Sequence, residues 1–158
     1  YLHLIYIYTI MLFDQISEDI KAAMKARDKV RLDTLRNIKK VFLEAKTAPG
    51  ANDTLEDADA LKIIQKLAKQ GKEAAQTFIQ NGRQDLADED LAQVAVMEES
   101  LPKPLSAEEI ETAVRDIIDK VGATSMKDMG KVMGMTSKQL AGRADGGTIS
   151  SIVKKLLG

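Results

Sequence analysis

Proline falls at only three positions in this chain, Pro49, Pro102 and Pro104, leaving three long runs, 1–48, 50–101 and 105–158, without one. Proline is the residue that most surely ends a helix, because it lacks the amide hydrogen and clashes with the preceding turn. Within these runs the apolar residues recur at helical spacing. Ile16, Ile20, Ala23 and Met24 form one stripe, and Leu32, Leu35, Ile38, Phe42 and Ala45 form a second. A longer stripe runs from Leu55 through Ala58, Leu61, Ile64, Leu67, Ala68, Ala75 and Phe78 to Ile79, and a further helix near 86–99 carries Leu86, Leu91, Val94 and Met97. No strand-like alternation appears after Met11. The predicted fold is all-α.

Helix starts and stops sharpen this reading. Asp28 is placed to cap the second helix, and Thr54 is expected to cap the long third one after the loop "TAPGAND" at 47–53. Asn81-Gly82 suits a left-handed helix end. "LPKPLS" at 101–106 is the clearest boundary, since two prolines in three residues bar helix continuation and stiffen the link. Ser106 with Glu109 then reads as a capping box, and Leu105 with Ile110 as a hydrophobic staple. Ser125 with Asp128 and Thr136 with Gln139 read as two more boxes, Gly142 as a C-cap, "DGG" at 145–147 as a turn, and Thr148 as the start of a closing helix. The expected domains are a helical domain over 11–100, a linker at 101–105 and a small helical tail over 106–158. Residues 1–10, "YLHLIYIYTI", are too short to span a bilayer, which needs about 20 apolar residues. They are read as a non-native or disordered extension ahead of a natural start at Met11.

Composition closes several chemical routes. There is no cysteine, and the only histidine is His3. Disulfides, thiolate metal sites and a cysteine nucleophile are excluded, and no imidazole is available after residue 3 for general base work or metal ligation. The absence of cysteine fits a reducing cytoplasm, the expected location. "GK" at 130–131 suggests a phosphate loop but fails as one: Val132 replaces the hydroxyl residue, and no glycine stands five positions before Gly130. Glu108-Glu109 is accounted for by its place at a helix start. No cofactor, metal or catalytic residue is predicted.

Charge is unevenly spread. Residues 14–46 hold nine basic and six acidic side chains, a local +3; residues 53–119 hold seven and sixteen, a local −9; residues 120–158 hold seven and two, a local +5. The basic groups of the last segment stand among Gly130, Gly134, Gly142, Gly146 and Gly147, half of the chain's ten glycines. Bare glycine amides and helix N-termini accept phosphate oxygens, so contact with a nucleic-acid backbone is one reading and a solvated basic face is the other. Met126, Met129 and Met133 share a helical face that reads as core, with a soft groove for a partner helix as the alternative.

"KARDKVRLDTLRNIKK" at 25–40, "LPKPLSAEEI" at 101–110, "KDMGKVMG" at 127–134 and "GRADGGTISSIVKKLL" at 142–157 resemble the YqeY family. The same module closes the B subunit of the glutamine-dependent Asp/Glu-tRNA amidotransferase. The resemblance implies a larger N-terminal domain of long helices and a three-helix tail that touches the outer corner of tRNA. It implies a non-catalytic tRNA- or RNA-binding accessory role, because no cradle-like segment for amide transfer stands among these residues. A carbon–nitrogen ligase label with glutamine as amido-N-donor would be inherited from the larger enzyme. The candidate contacts it assigns are Lys127, Lys131, Lys138, Arg143 and the amides of Gly142, Gly146 and Gly147. Gly130 and Gly134 are left to close helix packing, and Asp145 to ordering its turn. The expected partner is tRNA or another structured RNA, with no membrane and no metal. The alternative is a protein-interaction module docking on an amidotransferase or aminoacyl-tRNA synthetase through the tail or the acidic middle helices.

Overall fold

The structure, a computed structural model, describes residues 11–158. The reading of residues 1–10 as an extension lies outside the described residues. Every element among the described residues is helical. The chain divides into two compact units, one ending at Leu101 and one running from Pro102 to Gly158.

The N-terminal unit contains α1 (Leu12–Ala26), α2 (Lys29–Lys46), α3 (Asp57–Gln80) and α4 (Gln84–Glu99). Only two residues join α1 to α2. Arg27 takes a left-handed conformation (φ 56°), and Asp28 accepts a hydrogen bond from the Arg31 amide at 3.1 Å, as its capping role predicts. Ile16, Leu35, Ile38, Phe42 and Ile64 are fully buried and form the centre of the core. The amide of Leu12 donates to Asp57 Oδ1 at 2.8 Å, so the first turn of α3 also caps α1.

Thr54 does not cap the third helix. Its hydroxyl donates to the Ala51 carbonyl at 2.7 Å, Asn52 and Asp53 adopt left-handed φ values of 53° and 56°, and the helix begins only at Asp57. The reason is tertiary: Leu55 must turn into the core before helical geometry can start. Further along, Gly82 (φ 72°) closes α3, and the Arg83 amide donates to the Phe78 carbonyl at 2.8 Å. α3 and α4 form an antiparallel hairpin. Gly71 makes their close approach possible, since a Cβ there would lie 2.5 Å from Val94 Cγ2. Met24, Ile79 and Leu91 break the stripe pattern by standing exposed.

The C-terminal unit contains α5 (Ala107–Val121), a 3-10 turn (Met126–Asp128), α6 (Met129–Gln139) and α7 (Gly146–Leu157). Ser106 Oγ accepts from the Glu109 amide at 3.1 Å, and Gly122 (φ 66°) ends α5. Ile110, Val114, Ile117, Val132, Leu140, Ile149 and Val153 form the core, with Leu105 packed against it. The Ser125–Asp128 box forms in both directions, around the 3-10 turn. The Thr136–Gln139 box does not form: α6 runs unbroken through Thr136, whose side chain is fully buried one turn after Val132. Burial of that face outweighs the local capping option. "DGG" is likewise not a turn. Asp145 is the N-cap of α7, and Gly146 and Gly147 are its first two helical residues.

Candidate nucleic-acid interface

The seven residues singled out for RNA contact fall into two groups. Lys127, Lys131 and Lys138 are exposed along the 3-10 turn and α6. None of them forms an ion pair among the described residues. The acid nearest in sequence, Asp128, is committed to the turn: its Oδ2 accepts from the amides of Thr124 at 3.0 Å and Ser125 at 3.4 Å. Gly130, Lys131, Gly134 and Lys138 follow helical spacing and lie on one exposed side of α6. Met135, 41% exposed, borders the same side.

Gly130 and Gly134 are the residues that reasoning from sequence assigned wrongly. A Cβ at either position would meet no described atom within 4 Å, so no packing among the described residues requires them. Neither has a left-handed φ. Gly134 costs about 1 kcal/mol of helix propensity against alanine with no return among the described residues, and Gly130, in the first turn of α6, costs less. The signal available in sequence was their position inside a helical stretch at i, i+4. The sequence could not say whether another helix covered them.

The second group surrounds the α6–α7 connection. Gly142 is buried and holds φ 77°, letting the Arg143 amide reach back to the Leu140 carbonyl at 2.9 Å. Its place in the fold is that of a turn residue. Arg143 is exposed but partly engaged: its Nε donates to the Lys103 carbonyl at 3.3 Å, and its carbonyl accepts from the Leu105 amide at 2.9 Å. It therefore ties the proline segment to the tail. Gly146 and Gly147 are exposed at the N-terminus of α7, where amides point outward. The Asp145 carboxylate already occupies that end, accepting from the Thr148 amide at 3.0 Å and hydroxyl at 2.9 Å. An anion approaching Gly146 and Gly147 meets this negative charge.

The predicted methionine stripe divides. Met129 and Met133 pack against the tail core, whereas Met126 is exposed. On α7, Lys155 is partly neutralised by Glu111 at 3.3 Å. Hydrogen bonds from Arg115 and Lys155 hold the Glu111 carboxyl below its usual range. The N-terminal unit has an open cleft of about 410 Å³ lined by Ala22, Ala23, Leu35, Val96, Arg31 and Glu99, and another of about 370 Å³ lined by Arg36, Lys39, Lys40 and Leu43. Arg31 spends its fork on Glu99 (2.8 Å from Nη2 to Oε1) and Asp28, and Asp19 and Ser100 also line the first cleft. Among the described residues no cluster of three His, Cys, Asp or Glu could hold a metal ion, and no helix is long and apolar enough to cross a membrane.

Residues 13–157 match the family described as Yqey-like protein. Three curated relatives share the name "Altered inheritance of mitochondria protein 41, mitochondrial". The one from Vanderwaltozyma polyspora is 29% identical over 121 residues, covering 72% of this chain and 64% of its own length. Those from Pyrenophora tritici-repentis and Kluyveromyces lactis are each 25% identical, over 148 and 142 residues, covering 91% and 88% of this chain and 80% and 72% of their own. The chain thus spans just under two thirds of the first relative's length. All three relatives are named as mitochondrial proteins, a finding that overturns the cytoplasmic expectation. The physical reason is plain: lack of cysteine removes disulfides but specifies no compartment. The match runs through both units and all seven α-helices, and the chain belongs to the YqeY-like family.

Proposed function

We propose that this chain is a non-catalytic tRNA- or RNA-binding accessory module related to the amidotransferase B subunit, and that it binds through the exposed side of α6. The observation that carries this reading is the pair of uncovered glycines of α6, Gly130 in its first turn and Gly134 in its middle, beside the unpaired Lys127, Lys131 and Lys138. Without side chains at 130 and 134 a phosphate chain can approach the helix backbone, while the lysines neutralise it. Shape rather than base sequence gives the preference, because no Arg- or Asn-rich reading helix is present. Arg143 extends the contact at its edge, with Gly142 shaping the turn beside it.

The test separates folding from binding. Gly130→Ala/Gly134→Ala is expected to stabilise α6, by up to about 1 kcal/mol per site, and yet to weaken tRNA binding in fluorescence anisotropy. Lys131→Ala/Lys138→Ala is expected to lower the slope of log K against log salt by about 1.5. A stabilised glycine variant that binds tRNA as well as the parent would refute the reading. The same bare face would admit a partner helix, the competing interpretation, but that contact would survive nuclease and high salt. Transfer of amide nitrogen from glutamine to glutamyl-tRNA by the pure protein would overturn the non-catalytic assignment.

A further inference from the structure

We propose that the free end of the α3–α4 hairpin is a docking surface for a basic amphipathic helix of a partner protein. This surface belongs to the N-terminal unit and does not rest on the RNA reading. Towards α1 and α2 the hairpin contributes Ala60, Ile64, Ala68, Val94, Val96 and Met97 to the core. Beyond the Gly71–Val94 approach it buries only Ala75 and Ala87, two small side chains at a seam between two helices.

Two large aliphatic side chains are left outside at that end, Ile79 at 48% and Leu91 at 41% exposure. They stand on the same side. Lys72 and Glu98 form an ion pair across the hairpin. Ile79 follows Lys72 by seven residues and Leu91 precedes Glu98 by seven, which is about two helical turns toward the free end on both helices. The two side chains therefore lie on the same side of the hairpin as Lys72 and Glu98.

Charge selects the occupant. α4 carries six carboxylates, at 85, 88, 89, 90, 98 and 99, and no basic residue. Arg83, Lys72 and Arg31 pair with Asp85, Glu98 and Glu99, while Asp88 and Asp90, flanking Leu91, form no ion pair among the described residues. A nucleic acid is repelled by this surface. A second copy of the chain would bring the same acidic hairpin against itself. A helix with leucine-like residues on one face and lysine or arginine beside them satisfies both the apolar pair and the acids.

The test titrates the protein with a labelled Leu/Lys amphipathic peptide of about 18 residues, long enough to hold a helix. Its scrambled sequence and its Leu/Glu counterpart are the controls. Ile79→Ser/Leu91→Ser is expected to weaken binding about tenfold, and Asp88→Asn/Asp90→Asn several-fold, with helical circular dichroism unchanged in both. The scrambled peptide is expected to bind less well and the Leu/Glu peptide not at all. Equal affinity of parent and Ile79→Ser/Leu91→Ser overturns the proposal, as does equal binding of the scrambled peptide. A concentration-dependent dimer abolished by Ile79→Ser/Leu91→Ser would assign the surface to self-association instead, and loss of tRNA binding in that variant would assign it to RNA; either outcome overturns the proposal while leaving the α6 reading to its own variants.

Discussion

Burying Thr136 in the tail core leaves its hydroxyl with no hydrogen-bond partner among the described residues. A buried, unsatisfied hydroxyl costs roughly 1–3 kcal/mol, so Thr136→Val is expected to raise the urea midpoint, with a gain of about 1 kcal/mol. Thr34, the other buried threonine, donates to the Val30 carbonyl at 2.8 Å, and the same change there brings no such gain. Gly71 presents the opposite case. Adding a methyl group against Val94 overpacks the α3–α4 seam, so Gly71→Ala is expected to destabilise by about 1–3 kcal/mol. Val94→Ala in the same chain should recover part of that loss in a double-mutant cycle; additive costs would show that the two positions do not meet. Neither residue's environment is visible locally. Thr136 looks like a cap and Gly71 like a weak point in a helix, because the sequence does not show what lies across from either.

At the level of elements, ion pairs and caps join helices that are distant in sequence. Arg31 at the start of α2 holds Glu99 at the end of α4, and its hydrogen bonds keep the Glu99 carboxyl below the usual range. A depressed carboxylate contributes stability that is present above its unfolded value and is lost as pH falls through its folded value. Acid titration should therefore remove a contribution in the lower carboxylate range. Both partners are well exposed, so it should amount to about 0.5 kcal/mol or less. Arg31→Ala should abolish that part of the pH dependence, and an unchanged acid profile in the variant would show that the pair contributes nothing. At α7, Asp145→Ala removes the cap on the Thr148 amide and should cost about 1 kcal/mol in thermal unfolding. Caps at Asp28, Ser106 and Ser125 were legible because the capping residue and its amide lie within one turn. Thr54, Thr136 and the "DGG" segment were misread because core burial of Leu55, Thr136 and Ile149 set where those helices begin and continue.

For the molecule as a whole, two separate cores divide the chain after Leu101. Residues 102–158 expressed alone are expected to keep helical circular dichroism and to melt cooperatively, though with the modest stability of a small core; a non-cooperative, largely unfolded fragment would count against an independent tail. Much of this was determined by sequence alone. Helical periodicity and scarce proline specify an all-helical chain, because those signals act through the backbone of a few neighbouring residues. The motifs at 25–40, 101–110 and 127–157 likewise carry the family. Tertiary structure alone decided which glycines pack and which lie bare, that Gly142 is buried while Gly130 and Gly134 are open, and that Ile79 and Leu91 face outward. Exposure is a property of what other parts of the chain leave uncovered, and no local stretch of sequence contains it.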